Sequence, residues 1–318
     1  MNATSSEQHR VPTTVFSGFL GSGKTTIISH LIDTLQANGT KVAYIKNEIG
    51  DTDIDSKLMK GKDIETKELL NGCICCTLVG PFASAVSELI TSYHPDRIII
   101  EASGAADPSA IALMINSHPE LTRDGIISIV DVENFEGYKD LSVTAQNQTQ
   151  FTDLIIFNKV EMVPLDRKKA VVGYVRELNT HSPIIEAPAG TVDPEVVFGL
   201  DPKHLEPFIL EHAQHKHTHA HTQNHIQSDH FEAFTLKSPQ PISEEKVRSV
   251  LETLPKPIFR TKGIFLTPEG KWLSYNGVGK KVTIEPVEDA TSFNENIFVF
   301  IGVDADQFQN DIQKNLLG

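Results

Sequence analysis

The entire thiol content of this 318-residue chain, Cys73, Cys75 and Cys76, falls within one tetrapeptide behind Asn71-Gly72. Thiolates are soft ligands, and a turn can gather three of them around one ion at zinc–sulfur distances of about 2.3 Å. The fourth position then stays open to water, a carboxylate or an exchanging ligand. Structural zinc sites ordinarily close all four positions through paired C-x-x-C elements, and no second cysteine pair is present. An open three-sulfur site suits transfer of a metal. Two other readings of the same residues stand beside it: cysteine is often a small buried hydrophobe, and two of the thiols could form a redox pair, although adjacent Cys75 and Cys76 pair poorly as a disulfide.

Upstream, Gly18-Phe19-Leu20-Gly21-Ser22-Gly23-Lys24-Thr25 satisfies G-x-x-x-x-G-K-[ST] between an apolar run and a helical stretch, the context this phosphate-binding motif requires. Gly18, Gly21, Ser22 and Gly23 can turn backbone N–H groups toward phosphate oxygens. The helix N-terminus adds its positive end, Lys24 reaches the outer phosphates, and the Thr25 hydroxyl ligates Mg2+. Glu101 ends the apolar run 97–101 and is followed by Gly104. Such a carboxylate can hold the magnesium shell or orient an attacking water, and a glycine there admits the γ-phosphate to the backbone. A strand-ending carboxylate is also common for solubility alone. Asn158-Lys159-Val160-Glu161 follows the apolar run 153–157, where a guanine-reading N-K-x-D element would sit. Its acid is Glu161, one methylene longer than aspartate, at a place where two-pronged hydrogen bonding to the base decides selectivity. GTP is the expected nucleotide.

His215, His217, His219 and His221 alternate within a stretch of seven histidines between His212 and His230. An extended backbone would project the alternating four to one side, where neutral imidazoles can share a transition metal. The competing reading is a solvated polar linker. The isolated His30, His94, His118 and His181 are expected as surface or capping residues.

These residues need elements to position them. Short β-branched runs at 13–17, 41–46, 97–101, 125–130 and 153–157 alternate with helical patterns at 24–37, 81–92 and 166–178, which is how a parallel sheet with crossover helices reads. Beyond the histidine segment, runs at 231–236, 258–265, 272–275, 281–286 and 297–302 read as strands, and 243–254 and 305–317 as helices. The expected architecture is α/β: a P-loop NTPase parallel-sheet domain over 11–203, a His-rich linker over 204–230, and a small α+β C-terminal domain over 231–318.

With 39% hydrophobic and 22% charged residues the chain can bury two cores without disulfides. Its 42 acidic against 28 basic residues, net −14, would repel phosphate backbones and anionic membranes, so neither nucleic acid nor membrane is an expected partner. The N-terminus has no signal-like pattern and no apolar run is long enough to span a bilayer. A cytoplasmic location, with reduced thiols, is expected.

The phrases GFLGSGKTT, NEIGDTDID (47–55), ELLNGCICCT (68–77), EASGAADP (101–108), NKVE, IFRTKGIF (258–265) and IFVFIG (297–302) together resemble the CobW-type metallochaperone GTPases over nearly the whole chain. The resemblance implies that Gly21 to Thr26, hence Thr26 as well, bind phosphate and magnesium. It also implies that 47–51 is a switch, that Cys73, Cys75 and Cys76 bind metal, and that Asp51 is an additional ligand. The switch reads NEIGD where the family has NEFGE, Glu161 replaces aspartate, and Val303 stands where the family has arginine. The function so implied is GTP-driven delivery of zinc, with cobalt, iron or nickel as other candidates, to a metal-dependent client protein. Homo-oligomerisation is left open. A zinc-buffering or sensing protein with regulatory nucleotide is the alternative. A small-molecule kinase is a third, which the 158–161 element speaks against.

Overall fold

The computed structural model describes residues 10–47, 62, 64–68, 79–104, 107–137, 143–199, 231–287 and 293–318. Seven parallel strands form the first sheet in the order β3-β2-β4-β1-β5-β6-β7. They are β1 (Val11–Gly18), β2 (Val42–Asn47), β3 (Glu65–Glu68), β4 (Arg97–Ala102), β5 (Leu121–Asp131), β6 (Leu154–Asn158) and β7 (Ile184–Ala187). The central strands are buried on both faces, so they read as continuous apolar runs rather than alternating ones. One face, with Phe16, Tyr44, Ile99 and Ile127, packs on Ile27, Ile28 and Leu31 of α1 (Lys24–Ala37). The other, with Val15, Ile45, Ile98 and Ile100, packs on α2 (Val79–Tyr93) and α3 (Pro108–Ser117).

Among the strands and α-helices of this half, five were not expected from the sequence: β3, β7, α3, α4 (Val143–Gln150) and a single turn at Pro194–Val197. The sequence ETKE of β3 has no apolar pattern and is a strand because its register against β2 pairs Ala43 with Glu65 through Lys46 with Glu68. The polar helix α4 is fixed by side-chain hydrogen bonds to Gly104 and Asp107, described below. The remaining helices of this half are α5 (Leu165–Leu178) and the single turn α6 (Pro194–Val197).

The second sheet has the order β11-β10-β9-β12-β8, all pairs antiparallel. Its strands are β8 (Phe231–Ser238), β9 (Ile258–Leu266), β10 (Trp272–Val278), β11 (Lys281–Pro286) and β12 (Asn296–Val303). Helix α7 (Glu244–Glu252) starts at Ser243, whose side chain accepts from Lys246 N as an N-cap. The helix expected at 305–317 is divided. A 3-10 turn, Ala305–Phe308, entered from Asp304 in the left-handed region, precedes α8 (Gln309–Leu317).

Alternation along β12 distributes its side chains between two cores, as a period of two requires. Phe298 and Phe300 pack with Val247, Leu251, Ile312 and Leu316 of α7 and α8. Ile297, Val299 and Ile301 belong instead to the core of α1 and the first sheet, where Val196, Val197 and Phe198 complete the join. Polar contacts reinforce it. Buried Asp124, at the start of β5, accepts from both Arg97 of β4 and Arg260 of β9, and from the backbone N–H of Gly199 at 3.0 Å. Lys262 pairs with Glu195 of α6. Arg260 and Lys262 are the cations of the IFRTKGIF phrase, and their place here is at the junction of the two sheets. Among the described residues no helix is long and apolar enough to cross a membrane.

Candidate nucleotide site

The C-terminal ends of β1, β4, β5, β6 and β7 share one rim, so every loop leaving them meets there, as parallel strands dictate. The loop after β1 is held open by positive φ at Gly18 (142°), Gly21 (77°) and Gly23 (89°). At Gly23 a Cβ would also lie 2.2 Å from Asn158 Nδ2, so only glycine lets the loop close on β6. Asn158 donates through Nδ2 to the Ser22 carbonyl at 2.8 Å, which ties the end of β6 to the phosphate loop. Lys24 is buried at the start of α1 with Nζ 3.0 Å from the Gly18 carbonyl and 3.1 Å from that of Phe19, directly over the loop. The Ser22 hydroxyl is buried with no protein hydrogen-bond partner among the described residues. Thr26 is half-buried, with its methyl facing Gly190.

Thr25 and Glu101 meet at the mouth of the phosphate loop. Thr25 Oγ1 donates to Glu101 Oε1 at 2.9 Å. Since a hydroxyl has one hydrogen and two lone pairs, that donation leaves the Thr25 oxygen able to face a cation. The other carboxylate oxygen, Oε2, accepts from the Tyr44 hydroxyl at 2.5 Å. Tyr44 lies opposite Ile99, two positions from Glu101 on the neighbouring strand, so its long side chain reaches the carboxylate along the diagonal of one sheet face. Tyr44 was not among the residues expected from the sequence. Its signal is long-range: only the β2–β4 register puts it beside Glu101.

Gly104 approaches the phosphate loop so closely that a Cβ would stand 2.9 Å from the Leu20 nitrogen. Its carbonyl accepts from Gln148 Nε2 of α4 at 2.7 Å. Asp107 caps α3 by accepting from Ser109 N at 2.9 Å and also accepts from Asn147 Nδ2 at 2.9 Å. Partial burial pushes the Asp107 carboxyl up, but the hydrogen bonds from Ser109 and Asn147 outweigh it and hold the group below its ordinary range. Two adjacent residues of α4, Asn147 and Gln148, therefore hold Asp107 and Gly104.

After β6, Lys159 sits in the left-handed region (φ 60°), and its Nζ bonds Asp131 Oδ2 at 2.6 Å. Burial pushes Asp131 up, yet hydrogen bonds from Asn134 and Lys159 hold it low and charged. Glu161 is exposed in a 3-10 turn, Val160–Met162. The turn Pro188–Gly190 after β7, not anticipated from sequence, lies next to it, because Asn158 pairs with Ala187 across β6 and β7.

The thiolates Cys73, Cys75 and Cys76, Asp51 with the rest of the 48–55 segment, and His215, His217, His219 and His221 lie outside the described residues. Among the described residues no group of three His, Cys, Asp or Glu side chains could hold a metal ion.

A glycine-cradled loop opening a helix, a buried lysine over it, and a Thr–carboxylate pair at its mouth define the class: a P-loop nucleoside triphosphatase. Residues 12–186 match the family described as CobW/HypB/UreG, nucleotide-binding domain, and residues 231–317 match the Cobalamin synthesis protein cobW C-terminal domain. The chain belongs to the CobW/HypB/UreG family of P-loop GTPases. It is similar to the zinc chaperone YjiA of Escherichia coli, with 28% identity over 282 residues covering 84% of this chain and 86% of the relative. It is likewise similar to the zinc-regulated GTPase metalloprotein activator 1 of Schizosaccharomyces pombe, with 26% identity over 322 residues covering 88% and 78%. The crystal structure of Zn(II)-bound YjiA GTPase from E. coli aligns over 97% of this chain and 98% of its own, with TM-score 0.47 and 20% identity.

Proposed function

We propose that the chain is a GTP-hydrolysing metal chaperone that carries zinc on Cys73, Cys75 and Cys76, with Asp51 as a further ligand, and delivers it to a client protein in the reducing cytoplasm. The observation that carries the hydrolytic half is the Thr25–Glu101 contact at 2.9 Å beside a buried Lys24. Family membership and the names of its relatives, zinc chaperone and zinc-regulated GTPase, support the metal half.

Oxygen donors at Thr25 and Glu101 fit Mg2+, which favours carboxylate, hydroxyl and phosphate oxygens. The unpartnered Ser22 hydroxyl and the space kept by Gly23 fit a phosphate group in the cradle. Thr25 would hold the ion, which when bound offsets phosphate charge. Glu101, fixed by Tyr44 on one oxygen and Thr25 on the other, keeps that hydroxyl aimed and stands where an attacking water can be oriented. Lys24 follows the charge of the outer phosphates. Gly104, held through Gln148, offers its backbone to the γ-phosphate, and Asn158, Lys159 and Glu161 read the base.

Delivery follows if the 47–55 switch and the thiolates of Cys73, Cys75 and Cys76 take one arrangement with the γ-phosphate and another without it. The histidines at 215, 217, 219 and 221 act as an auxiliary capture site. Calorimetric titration of GTP into zinc-loaded and zinc-free protein tests the reading. Linkage predicts unequal affinities, and identical ones would remove the coupling.

A further inference from the structure

At the end of the parallel sheet away from the phosphate loop lies a cavity of about 1040 Å³ between the two sheet systems. One wall is α3, the turn after α4 and the start of β5. The other is the end of α7 and the β10–β11 turn. On the first wall Leu113 is 69% and Phe151 47% exposed. Single exposed apolar side chains are ordinary, but these two line the same cavity. The facing wall presents Lys256, Lys280 and Lys281, all exposed. Of the two acids lining the cavity, Glu252 and Asp153, the second is already bonded to Arg123 and lies 3.6 Å from Lys281. The cavity therefore carries four cationic against two acidic side chains, on a chain of net charge −14. Such a local reversal of sign complements an acidic ligand.

The apolar wall is also connected to the nucleotide end. Helix α3 begins at the Asp107 cap, Asn147 holds that cap, Gln148 holds Gly104, and Phe151 follows in the turn that ends α4. Gly104 is thus linked by hydrogen bonds to α4, and α4 in turn to the cap of α3, the two elements that carry the apolar wall.

We propose that this cleft docks an acidic segment of a polypeptide partner, with large apolar side chains seated on Leu113 and Phe151 and carboxylates against Lys256, Lys280 and Lys281, in a manner that depends on the bound nucleotide. That the partner is the metal's recipient rests on the function proposed above; the docking itself does not.

The test is a random-peptide phage library panned on the full chain loaded with a non-hydrolysable GTP analogue. The best synthetic peptide is then titrated by fluorescence anisotropy. Enriched peptides should combine Asp or Glu with Leu, Phe or Trp. Their affinity should fall about tenfold or more in the double variant Leu113→Ser/Phe151→Ser and in Lys256→Glu/Lys280→Glu, and should differ between the GTP-analogue and GDP forms. Unchanged GTP hydrolysis and circular dichroism would show both variants folded. Failure to enrich any peptide, enrichment without acidic excess, or equal binding by both variants would overturn the proposal. So would a wild-type dimer that the Lys256→Glu/Lys280→Glu variant splits, or binding that requires removal of 204–230, since a second copy or the chain itself would then be the occupant. Equal affinity in the two nucleotide forms would overturn the coupling. Peptide binding without any zinc–nucleotide linkage would sustain the cleft and sink the delivery reading alone.

Discussion

The Tyr44 hydroxyl donates to Glu101 Oε2 at 2.5 Å while Thr25 donates to Oε1, so both oxygens of the carboxylate at the mouth of the phosphate loop are committed. Removing one of these donors tests whether the carboxylate's aim matters to the reaction. Tyr44→Phe keeps the ring in its place in the core and deletes one hydrogen bond to a charged group, worth about 1.5–3 kcal/mol. We expect kcat for GTP hydrolysis to fall about tenfold with little change in KM, and the Mg2+ concentration for half-maximal rate to rise. Steady-state kinetics across a magnesium series checks this.

At Gly23 the loop has no room for a side chain. Gly23→Ala places a methyl 2.2 Å from Asn158 Nδ2 at a φ of 89°. Both the phosphate loop and the Asn158–Ser22 bond must then shift. Loss of measurable binding of a fluorescent GTP analogue is expected, with the second sheet and its core intact by near-ultraviolet circular dichroism.

Asp124 is fully enclosed between Arg97 and Arg260. Burial pushes its carboxyl up, and the two guanidiniums more than reverse this, leaving it below the ordinary carboxylate value. A depressed folded value means that the stabilisation is fully present above the unfolded pKa of about 3.9 and is lost only as pH falls through the folded value. Asp124→Ala leaves two buried cations uncompensated, a cost of about 3–5 kcal/mol. Thermal unfolding at neutral pH should show a lower midpoint for the variant. The gap should narrow below about pH 4, because acid removes the charge from the wild type alone.

In the function proposed here the base is read in part by Glu161, an exposed acid. Glu161→Asp shortens the side chain by one methylene in the turn that follows Asn158 and Lys159. Discrimination of GTP over ATP, taken as the ratio of kcat/KM, should rise by about tenfold if two-pronged bonding to guanine is what the longer side chain compromises. An unchanged ratio would assign selection to other groups, the neighbouring Pro188–Gly190 turn among them.

How much of this was legible beforehand depended on the range of the signal. The phosphate loop is contiguous, so Gly18 to Thr25 declared itself. Glu101 and Asn158 were visible because each closes an apolar run with a polar residue. Strand β12 of the second sheet also showed itself, since 297–302 is a short unbroken apolar run. Elements whose order comes from tertiary bonds were hidden. The strand β3 is a charged edge strand defined by its ladder to β2, and α4 is a polar helix fixed by Asn147 and Gln148. Helix α3 was masked by the loop-like phrase before Asp107, although Asp107-Pro108 is a strong helix start. Tyr44 reaches Glu101 only through strand register, and Asp124 finds its two arginines only when the sheets join. Neither of these two contacts leaves a trace in local spacing.

The claim on which delivery depends is that zinc affinity differs with the nucleotide held. Competition against a chromophoric zinc chelator, run on the full chain with a non-hydrolysable GTP analogue, with GDP and without nucleotide, measures it directly. The account predicts dissociation constants at least about tenfold apart between the triphosphate and diphosphate forms, a coupling of about 1.4 kcal/mol. One constant common to all three forms would contradict it.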